Sequence, residues 1–466
     1  MGYLPSPSYS INIRVEIDNK VGMFARVARA ISRTGGDLGY VTIVEARRGV
    51  LVRDITVNAR DEAHEEQIVA ALETVRGVRV VQVVDHTFSV HEGGKITVSG
   101  KTPIHDSNDL ARVYTPGVAR VCRTIENNPD EAYRYTIKGN TVAIVTDGSA
   151  VLGLGNIGPV ASLPVMEGKA MIFQEFAGIN AFPLPLTTQD PEEIIETVKR
   201  IAPALGGINL EDIAAPRCFE VETRLQEALD IPVFHDDQHG TAVVVLAGLI
   251  NVGRLLRKKI RRFRVVIAGA GAAGIATANL LLAYGIKDIV VCDRTGGIYR
   301  GRRTGMNSYK KQLAYRTNPR RRKGSLKECL AGADVFIGVS GPDVIDAGDV
   351  KTMARDRVVF ALANPDPEVA PESIDRLVRV LATGRSDYPN QVNNMLAFPG
   401  IFRGLLDVRA RSVNDTVRLA AADAIARVIP DGELHADYII PSIFDRTVVD
   451  RVATAVSEAA RSAGLA

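Results

Sequence analysis

Glu211 and Asp212 stand side by side in GGINLEDIAAP, and Asp237 follows in VFHDDQHGTA. Three carboxylates offering only oxygen suit a hard divalent cation such as Mg²⁺ or Mn²⁺, which takes near-octahedral ligands and leaves positions for substrate oxygens and water. Either piece alone would pass for a solvated helix start or a polar loop. Lys169 in VMEGKA and Tyr114 in VYTPGVA add an amine and a phenol, the groups that proton transfer needs. In isolation a lysine is usually a surface charge and a tyrosine a core residue with a polar tip.

The spacing GxGxxG occurs twice, at Gly153, Gly155, Gly158 and at Gly269, Gly271, Gly274. A dinucleotide site needs the first glycine for a tight turn, the second for backbone approach to pyrophosphate and the third for helix packing, with free helix N–H groups facing the anion. Only the second copy is expected to have a strand directly before it and a helix after. Asp293 ends the next apolar strand, where a carboxylate accepts from adenosine ribose hydroxyls, and this favours NAD. Arg294 beside it can meet a 2′-phosphate, which keeps NADP open. The first copy is expected to shape a loop of a substrate domain.

Three segments must position these groups. From residue 11 INIRVEI alternates, with Ile11, Ile13, Val15 and Ile17 on one face, as a half-buried strand requires. Phe24, Val27, Ala28 and Ile31 then recur at helical spacing, two apolar runs flank Arg47, Arg48 and Gly49 as a hairpin, and Ile68, Ala71, Leu72 and Val75 mark a second helix. With the closing strand VRVVQVV the order is βαββαβ over residues 9–92. HEGGKITVSGK is a glycine-punctuated joint, and residues 93–240 hold the acidic pieces. There PEEIIETVKRI reads as a helix capped by Asp190, with Pro191 at its first position and Glu193 completing a capping box. Residues 241–466 alternate short apolar strands with helix-length stretches, as in a doubly wound parallel sheet, and 400–466 read as helical.

Composition narrows the field. At 466 residues, 46% hydrophobic and 24% charged, the chain is long enough for two or three cores, and a net charge of +3 supplies no field that would favour nucleic acid. The basic runs RLLRKKIRRFR and NPRRRKG read as solvated charge. Four cysteines without metal or disulfide spacing suit reduced thiols. No secretory signal and no stretch of ~18 uncharged apolar residues are seen, so no membrane partner and a cytoplasmic address are expected.

VYTPGVA, DGSAVLGLGNIG, VMEGKA, INLEDI, HDDQHGTA, GAGAAG, ALANPDPE and NQVNNMLAFPG follow in the order and spacing of bacterial malic enzymes, which residues 95–466 resemble. The N-terminal βαββαβ unit, with DNKVGMFARVARAI at its first turn, resembles an ACT domain. The resemblance implies a multidomain α/β chain: an ACT-like domain, a malic-enzyme substrate domain and a Rossmann-type NAD-binding domain. It implies Glu211, Asp212 and Asp237 as metal ligands, Lys169 as general base and Tyr114 as general acid. Asp236 would orient Lys169, and Asn364 and Asn394 would contact substrate carboxylate and nicotinamide. Larger animal-type members carry an arginine in DG-x-x-LGLG where this chain has Ala150. Implied also are malate as substrate, NAD or NADP, Mg²⁺ or Mn²⁺, a small effector at the ACT-like domain, and a homodimer or larger assembly. Two rivals stay open: a malolactic enzyme making lactate on bound NAD, and a metabolite-sensing protein with an inert dehydrogenase part.

Overall fold

The computed structural model describes residues 5–151 and 153–466. The first four residues of the N-terminal stretch and Leu152 in the first glycine motif lie outside the described residues. The chain forms two compact units, residues 1–98 and 99–466.

In the first unit β1 (Ser6–Asp18), β2 (Asp37–Arg47), β3 (Val50–Ala59) and β4 (Val78–Asp85) form an antiparallel sheet in the order β2-β3-β1-β4. The helices Met23–Thr34 and Glu62–Glu73 complete the βαββαβ order. Ile11, Ile13, Val15 and Ile17 all point into the core, as period-two alternation demands. The first helix buries Val27 and Ile31, as the stripe read from sequence has it, with Met23 as the third buried residue in place of Phe24 and Ala28. Phe24 is instead only half-buried, under the Arg53 guanidinium at 4.9 Å. Arg47 pairs with Val50, so the hairpin turn is Arg48-Gly49, and Gly49 takes the positive φ (84°) that the turn requires.

The second unit holds two parallel sheets. β5 (Thr141–Thr146), β6 (Asn180–Pro185), β7 (Gly207–Leu210) and β8 (Val233–His235) lie in the order β6-β5-β7-β8. β9 (Arg264–Ala268), β10 (Asp288–Asp293), the two-residue β11 (Gly296–Gly297), β12 (Val335–Gly338), β13 (Val358–Ala361) and β14 (Val380–Thr383) lie in the order β11-β10-β9-β12-β13-β14. β11 alone is antiparallel to its neighbour. Strands β5, β7, β9, β12 and β13 are buried almost throughout, which is why they read as continuous apolar runs rather than alternations. The helices Phe398–Asp407, Asp415–Ala426 and Thr447–Ser462 fill the C-terminal region.

Three expectations are corrected. Asp190 does cap the helix Pro191–Ile201, accepting from the N–H groups of Glu192 and Glu193, but its own N–H donates to Thr188 Oγ1 rather than to Glu193, so the box is not closed. The first glycine motif also precedes a helix, Pro159–Ala177; what separates it from a dinucleotide turn is the loop 147–158 between β5 and that helix. The basic runs are not merely solvated: Arg254 donates to the carbonyls of Ala426 and Ile429, and Arg322 to those of Cys329 and Ala331.

The 21-residue helix Asp236–Leu256 has the length and mean hydropathy (1.5) of a membrane span, yet 67% of its apolar window is buried inside the protein. It is the central helix of the second unit.

Candidate active site

The acids sit at the carboxyl ends of parallel strands, where open α/β sheets place their ligands. Glu211 and Asp212 directly follow β7, and Asp236 and Asp237 open the central helix directly after β8. Their place at a helix N-terminus favours negative charge. Asp212 adopts a left-handed backbone (φ 54°), and its N–H donates to Asp237 Oδ2 at 2.9 Å. Ligand atoms of Glu211, Asp212 and Asp237 all lie within 4.8 Å of one another.

Lys169 projects from the helix Pro159–Ala177 into this cluster. It is buried, and its Nζ lies 2.5 Å from Glu211 Oε2 and 2.5 Å from Asp236 Oδ2, 4.6 Å from the centre of the Phe398 ring. Asn394 Nδ2 donates to the same Asp236 oxygen at 2.6 Å, and Asn209 Nδ2 to Glu211 Oε2 at 2.9 Å. Burial pushes the Glu211 carboxyl up to about 7 and Asp212, beside Asp237 and Glu211, up to about 9. Burial alone would lower the Lys169 ammonium; Asp236, Glu211 and Asp237 outweigh it and raise it above its ordinary value. Clustered carboxylates at such cost are what a cation relieves, and Asp212 Oδ2 is buried with no partner. The donor set fits a hard divalent cation.

Around this centre stand residues that sequence reasoning passed over. Asp147, fully buried, accepts from Arg217 Nε at 3.0 Å and from Ser149, whose Oγ in turn receives the Ala214 N–H, so the loop after β5 is tied to the segment bearing Asp212. Asp147 and Ser149 stood inside the DGSA motif, a signal that went unread. Buried Glu222 accepts from the His235 N–H, Gln238 and His239. Burial alone would raise its carboxyl, but His239 and Arg418 hold it down at about 2. No sequence pattern marked it.

The second glycine motif runs from β9 into the helix Ala272–Tyr284. A side chain at Gly274 would strike the Gly269 carbonyl at 1.9 Å, whereas one at Gly271 would meet nothing within 4 Å. The third glycine is therefore required for packing, and the second leaves an open approach to the helix N-terminus. Asp293 ends β10 but does not stand free: Oδ1 meets Arg302 at 2.6 Å and Oδ2 meets Lys310 at 2.7 Å. Asn364, exposed after β13, has its carbonyl beside Gly153. Tyr114 is the group not brought in. It is 66% exposed, and among the described residues no side-chain hydrogen bond or ring contact joins it to Lys169 or to the three acids.

Residues 93–190 and 186–226 match the family of the malic enzyme N-terminal domain, residues 238–461 that of the malic enzyme NAD binding domain, and residues 5–82 the ACT domain. The chain belongs to the malic enzyme family. It is 56% identical over 457 residues to an NAD-dependent malic enzyme of Geobacillus stearothermophilus, a match covering 98% of this chain and 95% of that relative. A bifunctional malic/malolactic enzyme of Bacillus subtilis (strain 168) is 53% identical over 82% of this chain and 93% of its own length. Among solved structures, the NAD-dependent malic enzyme from Thermotoga maritima superposes with a TM-score of 0.77 at 48% identity, over 80% of this chain and 99% of that one.

Proposed function

We propose that the chain oxidises and decarboxylates (S)-malate to pyruvate and CO₂ with reduction of NAD⁺. The observation that carries this is the buried Lys169 held between Asp236 and Glu211, with Asp212 and Asp237 alongside. A divalent cation on Glu211, Asp212 and Asp237 would polarise the C2 oxygen of malate and offset the carboxylate charge that keeps a proton on Lys169. A nicotinamide dinucleotide at the second glycine motif would accept hydride from C2.

The protein's own groups move the protons. Lys169 Nζ, aimed by Asp236, takes the proton of the C2 hydroxyl as hydride leaves. After CO₂ departs, the three-carbon enolate takes a proton at C3 from the Tyr114 phenol. Lys169 then returns its proton to Tyr114, so the hydroxyl proton of malate ends on C3 of pyruvate and none is released overall. Asn394 fixes Asp236 and thereby the direction of Nζ, and its Oδ1 is left for a ligand. Asp293 would meet the adenosine ribose, and Arg302 and Lys310 beside it make NADP⁺ the cofactor to compare. The ACT domain would bind a small effector that adjusts the rate.

The test is an initial-rate assay with malate, each nicotinamide cofactor and Mg²⁺ or Mn²⁺. Pyruvate and NADH in equal amounts, with turnover lost to a chelator and regained with Mn²⁺, is the expected result. Malate consumption with lactate and no net NADH would select the malolactic reaction, which the name of the B. subtilis relative makes the second reading. No malate turnover with either cofactor would overturn both in favour of a sensing role.

A further inference from the structure

Five helices of the second unit leave a cavity of about 300 Å³ between them: Arg217–Ala228, the central helix, Ala272–Tyr284, Ser308–Arg316 and Asp415–Ala426. That is the small end of the range for ligand pockets. Lys169, the three acids, the glycines of the dinucleotide turn and Asp293 are not among the residues lining it, so it is a space apart from both sites described above. Its walls are of two kinds. Phe219 and Tyr309, with ring centres 4.5 Å apart, join Ile275 and Leu280 in supplying apolar surface, whereas Arg316 and Arg418 bring two guanidiniums.

Arg418 is the group left out of balance. Elsewhere in this chain the Nε, Nη2 edge of a guanidinium grips both oxygens of one carboxylate, Arg14 on Asp54 and Arg385 on Asp387, at 2.6–2.8 Å. The same edge of Arg418 holds no carboxylate. Its side chain is only 12% exposed, its Nε is buried without a hydrogen-bond partner among the described residues, and its Nη2 reaches the ring Nε2 of His239 at 3.3 Å. That nitrogen already faces Glu222 Oε2 at 2.9 Å, and it carries either a hydrogen or a lone pair, so it cannot serve both. The charged acceptor Glu222 has the stronger claim on it. Asp415, whose side chain is 55% exposed, meets the remaining nitrogen, Nη1, at 3.0 Å. A buried guanidinium edge without an acceptor is costly, and an anion entering from the cavity relieves it. Arg316, steered by Asn279 Oδ1 at 2.9 Å, offers a second cation to the same space.

We propose that this cavity binds a small organic anion. Its carboxylate or phosphoryl group lies on the Nε, Nη2 edge of Arg418 with Arg316 assisting, and its body rests against Phe219 and Ile275. The cavity abuts the turn that carries Asp236 and Asp237, since Glu222 on its wall also accepts from the His235 N–H and from Gln238.

Isothermal titration calorimetry on the full-length protein saturated with NAD⁺ tests it, with inorganic phosphate and propionate as separate titrants. Saturation keeps either anion off the dinucleotide turn. One site per chain is expected for at least one titrant, and which of the two binds tells whether a phosphoryl or a carboxylate group is read. Arg418→Gln should weaken that binding about 10–100-fold, the worth of hydrogen bonds to a charged group. Asp415→Asn alters an exposed side chain and removes the carboxylate that competes for Arg418, so it should tighten binding. Unchanged affinity in Arg418→Gln would place the anion elsewhere, the malate site included, and overturn the proposal. No binding of either titrant to the wild-type protein would overturn it as well. Should Arg418→Gln fail to fold, Asp415→Asn decides: tighter binding supports the site, and unaltered or weaker binding sinks it.

Discussion

Lys169 is an ammonium wedged among acids, and its chemistry depends on those neighbours more than on its own nature. Replacing it by alanine should cut kcat about 10²–10⁴-fold, the usual worth of a general base, while fluorescence titration shows NAD⁺ binding little changed. Turnover within a few-fold of wild type would remove it from the mechanism. Asp293 gives a test in pH. Burial would raise its carboxyl, but Lys310, Arg302 and Thr295 outweigh that and hold it at about 2, below the ordinary 3.8. The folded chain therefore binds fewer protons here than the unfolded one, so the stabilisation is full above about pH 4 and drains away as pH falls toward about 2. Urea midpoints at pH 6 and pH 3 should differ less in Asp293→Asn than in wild type. At this scale the sequence made legible the residue types, in LEDI, HDDQHG and MEGKA, and the family resemblance supplied the Asp236–Lys169 pairing, but not the other pairings. Nothing in the string shows that Asp293 is occupied by Arg302 and Lys310, because the loop that folds them back is fixed by tertiary contacts.

Among elements, strands and glycine turns were the most legible. The run before Gly269 reads as a strand because both its faces are buried, and the motif after it reads as a helix start because Gly269 and Gly274 leave no room for a side chain. The second and third glycines of that motif separate experimentally. Gly274→Ala forces a methyl against the Gly269 carbonyl and should cost about 1–3 kcal/mol of stability in urea unfolding. Gly271→Ala meets open space, so stability should hold while NAD⁺ affinity falls about tenfold, near 1.4 kcal/mol. Equal loss of both properties in the two variants would mean that the open face at Gly271 is not where the dinucleotide approaches. The capping box failed because Thr188, outside the four-residue signature, competed for the Asp190 N–H and won.

For the molecule as a whole, order of motifs conveyed the architecture: an alternating antiparallel unit first, then two parallel sheets, each with candidate site residues at its strand ends. What the order could not convey is whether the first unit binds an effector, and which. Initial rates across a panel of amino acids and central metabolites should find one that shifts the malate KM or kcat. That response should vanish in Ile13→Ala, which opens a cavity in the core of the first unit, and a flat response across the panel would leave that unit a structural module. The central helix joins the two halves of the chemistry. Its first turn bears Asp237, and its 21 residues, about 30 Å of rod, pack extensively along the helix Ala272–Tyr284 that starts at the dinucleotide turn. A stiff strut shared by both ends cannot settle at one without the other registering it. Cation and dinucleotide should therefore be thermodynamically linked, each sharpening the hold on the other by the same factor, as reciprocity demands.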